Sequence, residues 1–148
     1  MKVYVAADHN GFDYKRQILG QLQQSGYEVV DAGDSKLDPD DDFPQFASRA
    51  MRQLLADKDP NSRAILICGS GQGMCMAANR FKNIRASLCW SLAEARSARN
   101  DDDSNVLCLS AQSTSLKEAE SIVSVWLQTP FAGASRFVRR LRELDRLP

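Results

Sequence analysis

Short apolar, β-branched runs alternate with longer amphipathic stretches along this chain, and that alternation is the strongest constraint on its fold. Lys2–Ala7 is the first apolar run, and it ends at Asp8-His9-Asn10-Gly11. A run of this kind reads as a buried strand followed by a loop. From Phe12 the pattern turns helical, with Phe12, Ile18, Leu19 and Leu22 set among Lys, Arg and Gln, and Ser25-Gly26 marks the stop. Tyr27–Val30 is predicted to be the second strand. An acidic loop from Asp34 to Asp42 follows, and helical spacing resumes from Phe43 to Asp57 through Phe46, Ala50, Met51, Leu54 and Leu55. Ala64–Ile67 is the clearest strand. Beyond it the pattern predicts a helix from Met74 to Phe81, a strand at Arg85–Cys89, a helix at Leu92–Arg99 and a fifth strand at Val106–Leu109. Ser115–Leu127 is a helix with a capping box between Ser115 and Glu118. After a break at Thr129–Ser135, Arg136–Leu144 is a last helix, strongly basic on one side.

Strand followed by helix, repeated, predicts parallel βαβ units. The expected class is α/β: a three-layer α/β/α sandwich on a five-stranded parallel sheet, closed by a C-terminal helix. At roughly 100–200 residues per domain, the 148 residues are expected to form one domain. Nineteen basic residues balance nineteen acidic ones, so no net charge draws the chain to nucleic acid or to an anionic membrane surface. No apolar run approaches the ~18–20 residues of a membrane span. The N-terminal run turns polar at Asp8 and lacks the core of a secretory signal. Four cysteines without a CxxC pair, beside a single histidine, argue against a zinc site. No metal is expected, and the default is a reduced, cytoplasmic protein.

The strand at Ala64–Ile67 runs directly into Cys68-Gly69-Ser70-Gly71-Gln72-Gly73. Alternate glycines let backbone N–H groups turn toward one point, and a following helix adds its positive end, so the segment can hold an anion. Glycine loops of this spacing also serve as plain tight turns. No Gly-Lys-Ser/Thr follows, which excludes a Walker A loop, and the dinucleotide fingerprint is imperfect. Cys68 closes the strand at the end where open α/β sheets place ligands. A helix N-terminus favours thiolate, so nucleophile or base chemistry is available; a small buried residue closing a strand is the equal alternative. Cys75, Cys89 and Cys108 read as core. Asp8-His9 holds the corresponding position after the first strand, and an imidazole there suits proton transfer or phosphate contact. Asn100-Asp101-Asp102-Asp103 is either a solvated cap or, close to those loops, the source of an acid or base. Arg136 and Arg140 share a helix face, an arrangement suited to phosphate.

These residues together resemble the family of ribose-5-phosphate isomerase B and the galactose-6-phosphate isomerase subunits, over nearly the whole chain. The matching segments are Asp8-His9-Asn10-Gly11-Phe12, the Cys68–Gly73 loop followed by Ala77-Ala78-Asn79-Arg80, Asp103-Ser104-Asn105-Val106-Leu107, and Gly133 to Arg140. The resemblance implies a Rossmann-like fold and a metal-free, cofactor-free aldose–ketose isomerase acting on a sugar phosphate through an enediolate. It implies a homodimer or tetramer with active sites shared between chains. Carried over, Cys68 is the base, and Ser70 with the amides of Gly69, Gly71, Gln72 and Gly73 holds the oxyanion. Asp8 and His9 contact the sugar or phosphate, and Arg136 and Arg140 grip the phosphate from the partner chain.

Four positions depart from the family pattern. Asp101-Asp102 stands where a His-Asn pair is usual, and that His opens the furanose ring; here Asp101 or His9 is left for the task, with Asp102 as a substrate contact. Phe43 replaces a Tyr. Gln112 replaces an Arg. Gly133-Ala134-Ser135-Arg136-Phe137 stands for Gly-Gly-Arg-His with one residue inserted. The leading reading is an isomerase of unassigned sugar. The second is a sugar-phosphate-binding or regulatory protein with little turnover. A thiol redox pair of Cys68 and Cys75 is the third, opposed by their seven-residue spacing, about two helical turns.

Overall fold

The computed structural model describes residues 1–148. Five strands form one all-parallel sheet: β1 (Lys2–Ala7), β2 (Glu28–Asp31), β3 (Arg63–Cys68), β4 (Ala86–Leu88) and β5 (Val106–Ser110), in the order β2-β1-β3-β5-β4. Six helices connect and cover them: α1 (Phe12–Gln24), α2 (Phe43–Ala56), α3 (Gln72–Ala78), α4 (Leu92–Asn100), α5 (Leu116–Gln128) and α6 (Ser135–Leu144). A single 3-10 turn, His9–Gly11, sits between β1 and α1. The expected three-layer α/β/α sandwich is present. No helix is long and apolar enough to cross a membrane.

The central strands are apolar on both faces because both faces are covered by helices. Alternate residues divide between the two layers. Val3, Val5, Ile65, Ile67, Leu107 and Leu109 meet Ile18, Leu22, Ile122 and Trp126. Tyr4, Ala6, Leu66 and Cys108 meet Phe46, Met51, Leu54 and Met74. The outer strands β2 and β4 are shorter and only half-buried. The second strand begins one residue later than its apolar pattern suggested, so Tyr27 lies outside the ladder. The α3 helix starts at Gln72 rather than Met74, because Gly71 takes a left-handed φ of 76° and serves as its N-cap. The Ser115–Glu118 capping box is formed.

Strand order reverses between β1 and β3. The chain leaves β1 toward one side of the sheet and returns to β3 on the other, which opens a crevice beyond their C-terminal ends. The ends of α4 and α5 and the whole of α6 gather at the other edge of the sheet. There Ala132 N donates to Asn100 O at 3.0 Å, and Arg85, just before β4, bonds Asp145 just past α6 at 3.3 Å.

Candidate active site

Three loops converge at the crevice. Asp8 N donates to Ile67 O at 3.2 Å, which draws the first turn onto the end of β3. This approach requires Gly11: a Cβ there would lie 2.7 Å from the Ile67 carbonyl oxygen. The third loop follows β5. Ala111 N and Gln112 N donate to Cys68 O and Gly69 O, each at 3.0 Å, and the Ser110 hydroxyl donates to Gly69 O at 2.7 Å. The carbonyls of the glycine loop are thus taken from behind. Gly71 admits no side chain, since a Cβ would meet Leu88 at 2.5 Å and the Leu109 carbonyl carbon at 2.9 Å. Because α3 has only seven residues, the loop amides rather than a long helix dipole supply the positive field.

Cys68, 5% exposed, heads this cradle opposite Ser110 in the β3–β5 register. Ser70 Oγ accepts from Gln72 N at 3.3 Å. Gln112 and Asn10 lie over Gly69, and the Phe43 ring lies over Gly73. Two of the four departures from the family pattern therefore sit on the cradle itself.

Asp8 is buried and spends one carboxylate oxygen on the amides of Asn10 and Gly11, at 3.0 and 3.3 Å. Burial raises its pKa, and those two amides pull it back. His9 is held by Asp41, 32 residues away: Asp41 Oδ1 accepts from the His9 backbone N–H at 3.0 Å and lies 2.7 Å from Nδ1. The hydrogen bond to Asp41 raises the imidazole pKa; burial opposes it, and Asp8, Asp41 and Asp38 add to it by charge. The side-chain atoms of Asp8, His9 and Asp41 come within 4.8 Å of one another, a convergence these hydrogen bonds already account for.

Asp101 and Asp102 do not join the cradle of their own chain. The expectation that this run lies near the loops fails because α4 runs antiparallel to its strands and delivers Asn100 to the opposite edge. There Asn105 N donates to the Arg85 carbonyl ahead of β4. Asp103, at a left-handed φ of 45°, bonds Arg85 at 3.0 Å and the buried Arg99 at 2.8 Å. Asn100 donates to Asp101 at 2.7 Å. Burial, then the Asp101 charge, raises the pKa of Asp102, while Arg140 and Arg85 lower it. The Arg140 charge thus reaches Asp102, and Arg136 lies one turn away on the same helix face. One chain carries two partial constellations, one at each edge of its sheet. Two hollows of about 490 and 410 Å³ lie elsewhere, lined by Tyr4, Asp57 and neighbours, and by Arg139, Arg142 and neighbours; neither touches the cradle.

Sequence reasoning passed over Asp41, Ser110 and Asn10. Asp41 lay among five aspartates of one loop with nothing to single it out, and Ser110 closed a strand. Cys75, read as core, is half-buried; its thiol is brought down to about 7 by a hydrogen bond with Cys108. It also donates to Ala86 O at 3.4 Å and accepts from Asn79 Nδ2 at 3.7 Å.

The Ribose/Galactose Isomerase family model matches residues 3–144. The chain belongs to this family. A probable ribose-5-phosphate isomerase B of Mycoplasma pneumoniae is 43% identical over 131 residues, covering 88% of this chain and 85% of the relative. Ribose-5-phosphate isomerase B of Mycolicibacterium paratuberculosis is 37% identical, covering 95% and 87%. Among solved structures, ribose-5-phosphate isomerase B of Mycoplasma genitalium with bound ribulose-5-phosphate superposes with a TM-score of 0.93 at 37% identity, covering 98% of this chain and 94% of that one. The Thermotoga maritima enzyme gives 0.92 at 36% identity, covering 99% and 98%. Family membership and the Rossmann-like sandwich agree with the resemblance read from the motifs.

Proposed function

We propose that this chain is a metal-independent aldose–ketose isomerase interconverting ribose 5-phosphate and ribulose 5-phosphate. The observation that carries the reading is Cys68 at the head of an amide-lined cradle, at the reversal point of the sheet. After ring opening, the Cys68 thiolate takes the proton from C2 of the aldose, and the electron pair forms an enediolate. Ser70 and the amides of Gly69, Gly71, Gln72 and Gly73 hold the charge on oxygen, which contributes a few kcal/mol, roughly, to the transition state. As the O2 hydroxyl proton passes to O1, the thiol returns its proton to C1, giving the ketose. Asp8 and His9 contact the substrate.

Phosphate binding and ring opening draw on a second chain in this reading. Arg136, Arg140, Asp101 and Asp102 sit together, but at the edge away from Cys68. A two-fold dimer that sets one chain's cradle against the other's basic edge completes two sites at once. The amphipathic α6, with Phe137 and Leu141 inward and its arginines outward, supports such a contact. We place the protein in the cytoplasm, in keeping with its four free thiols.

The reading is tested by incubating the protein with ribose 5-phosphate, and with other pentose and hexose phosphates, in deuterated water. Deuterium entering C1 or C2 with ketose formation is expected. Folded protein that binds these sugars without exchange or turnover contradicts the reading and leaves a sugar-phosphate-binding or regulatory protein. Asp101-Asp102 in place of His-Asn, and Gln112 in place of Arg, are the features that favour that second reading.

A further inference from the structure

We propose that Asp41 is a positioning residue for the substrate's phosphate: one oxygen fixes both the backbone and the ring of His9, leaving Nε2–H as the donor to the phosphate. The inference rests on the isomerase reading and goes beyond it, because Asp41 acts through His9.

The geometry is specific. A single oxygen, Asp41 Oδ1, takes the His9 amide at 3.0 Å and Nδ1 at 2.7 Å. The Asp41 side chain is only 5% exposed, whereas that of His9 is 32% exposed. Nδ1 is therefore committed to the protein, and Nε2 makes no hydrogen bond within the chain. Fixing amide and ring together removes the rotation about χ1 and χ2 that would otherwise scatter Nε2. The Asp8–Ile67 hydrogen bond sets the His9 turn beside the Cys68 loop at the same crevice.

Charge separates phosphate contact from proton transfer. The charged groups facing the imidazole are Asp41 and Asp38 from the loop before α2, and Asp8 from the end of β1; all favour its protonated form. With Nδ1 held by Asp41, Nε2 carries a proton in the neutral and in the charged ring alike, which makes it a donor to a phosphate rather than a base for ring opening.

His9 is the only histidine in the chain, so its proton NMR signals titrate without ambiguity. The experiment compares wild type, Asp41→Asn and Asp41→Glu by imidazole titration and by kinetics on ribose 5-phosphate. The wild-type midpoint is expected above the free value of about 6.5. It should fall toward that value in Asp41→Asn and stay raised in Asp41→Glu. In Asp41→Asn the KM should rise several-fold at pH 7.5, with kcat within about twofold of wild type. An unchanged midpoint in Asp41→Asn overturns the inference, as does a loss confined to kcat. If Asp41→Asn does not fold, the wild-type titration decides, and a midpoint at or below 6.5 overturns it. Wild-type protein that turns over no sugar phosphate removes the isomerase reading separately, because the imidazole titration needs no turnover.

Discussion

Asp102 and Cys68 lie at opposite edges of one sheet, with the length of β5 between them. Cys68 pairs with Ser110 at the end of that strand, and Asp102 precedes its start at Val106. Five residues at ~3.3 Å rise make that separation roughly 15 Å or more. No side-chain motion closes such a gap, so the proposed site, which uses both groups, requires two chains.

Removing the proposed base should stop the chemistry and spare binding. Cys68→Ala is expected to lower kcat by at least ~10²-fold, because a positioned base acts on the chemical step. Affinity for ribose 5-phosphate by calorimetry should stay near wild type, since amides and arginines do the anchoring. Undiminished turnover would take Cys68 out of the mechanism.

Ring opening is the step most exposed to this chain's departures from its family. An aspartate is a weaker base near neutral pH than an imidazole. Asp101→His should therefore raise turnover of ribose 5-phosphate, by about tenfold, and Asp101→Asn should lower it. If neither change moves kcat, the run from Asn100 to Asp103 is a solvated cap, and its carboxylates leave the mechanism.

Gly71 is the position where the cradle tolerates no change. Gly71→Ala places a side chain at a left-handed φ, a strain of about 1–2 kcal/mol. It also puts a Cβ against Leu88 and the Leu109 backbone. The urea midpoint should fall by more than the strain alone predicts, and activity should fall further because the loop amides shift. Stability equal to wild type would show that the loop can relax.

Tyr4 and Asp57 give the fold two pH limits. The Tyr4 hydroxyl donates to Asp57 at 2.8 Å. Burial, then that bond, raises its pKa to about 12 from 10.0. The Tyr4 contribution is thus complete below pH 10 and is lost as pH rises toward 12. Asp57 is held at about 2, first by the Asp59 amide and then by Tyr4 and Ser62. Its contribution is complete above the ordinary carboxylate value and is lost as pH falls toward 2. Thermal melts across pH should show both declines, and Tyr4→Phe should abolish the alkaline one. An alkaline decline of the same size in Tyr4→Phe would assign it elsewhere.

The order of elements was legible because periodicity switches cleanly between strand and helix, and the cradle because β3 runs without interruption into its glycines. What lay out of reach were contacts between distant segments. Nothing in a loop of five aspartates distinguishes Asp41, whose proposed role exists only once β1 brings His9 to it. Which edge Asp101 joins was out of reach too, because nearness in sequence to a strand does not say which end of that strand a residue joins. Parallel topology decides that, and it sends the C-terminus of α4 to the edge away from the loops. Boundary shifts at Tyr27 and Gln72 follow from edge exposure and from the N-cap role of Gly71.

The most direct test of a site shared between chains is complementation. Cys68→Ala and the double variant Arg136→Ala/Arg140→Ala each remove one partial constellation, so each alone should be inactive. Mixed and allowed to exchange subunits, half of the dimers become heterodimers carrying one intact site each, and the mixture should recover about a quarter of wild-type activity. A mixture that stays inactive, with heterodimers verified by native mass spectrometry, would contradict the shared site.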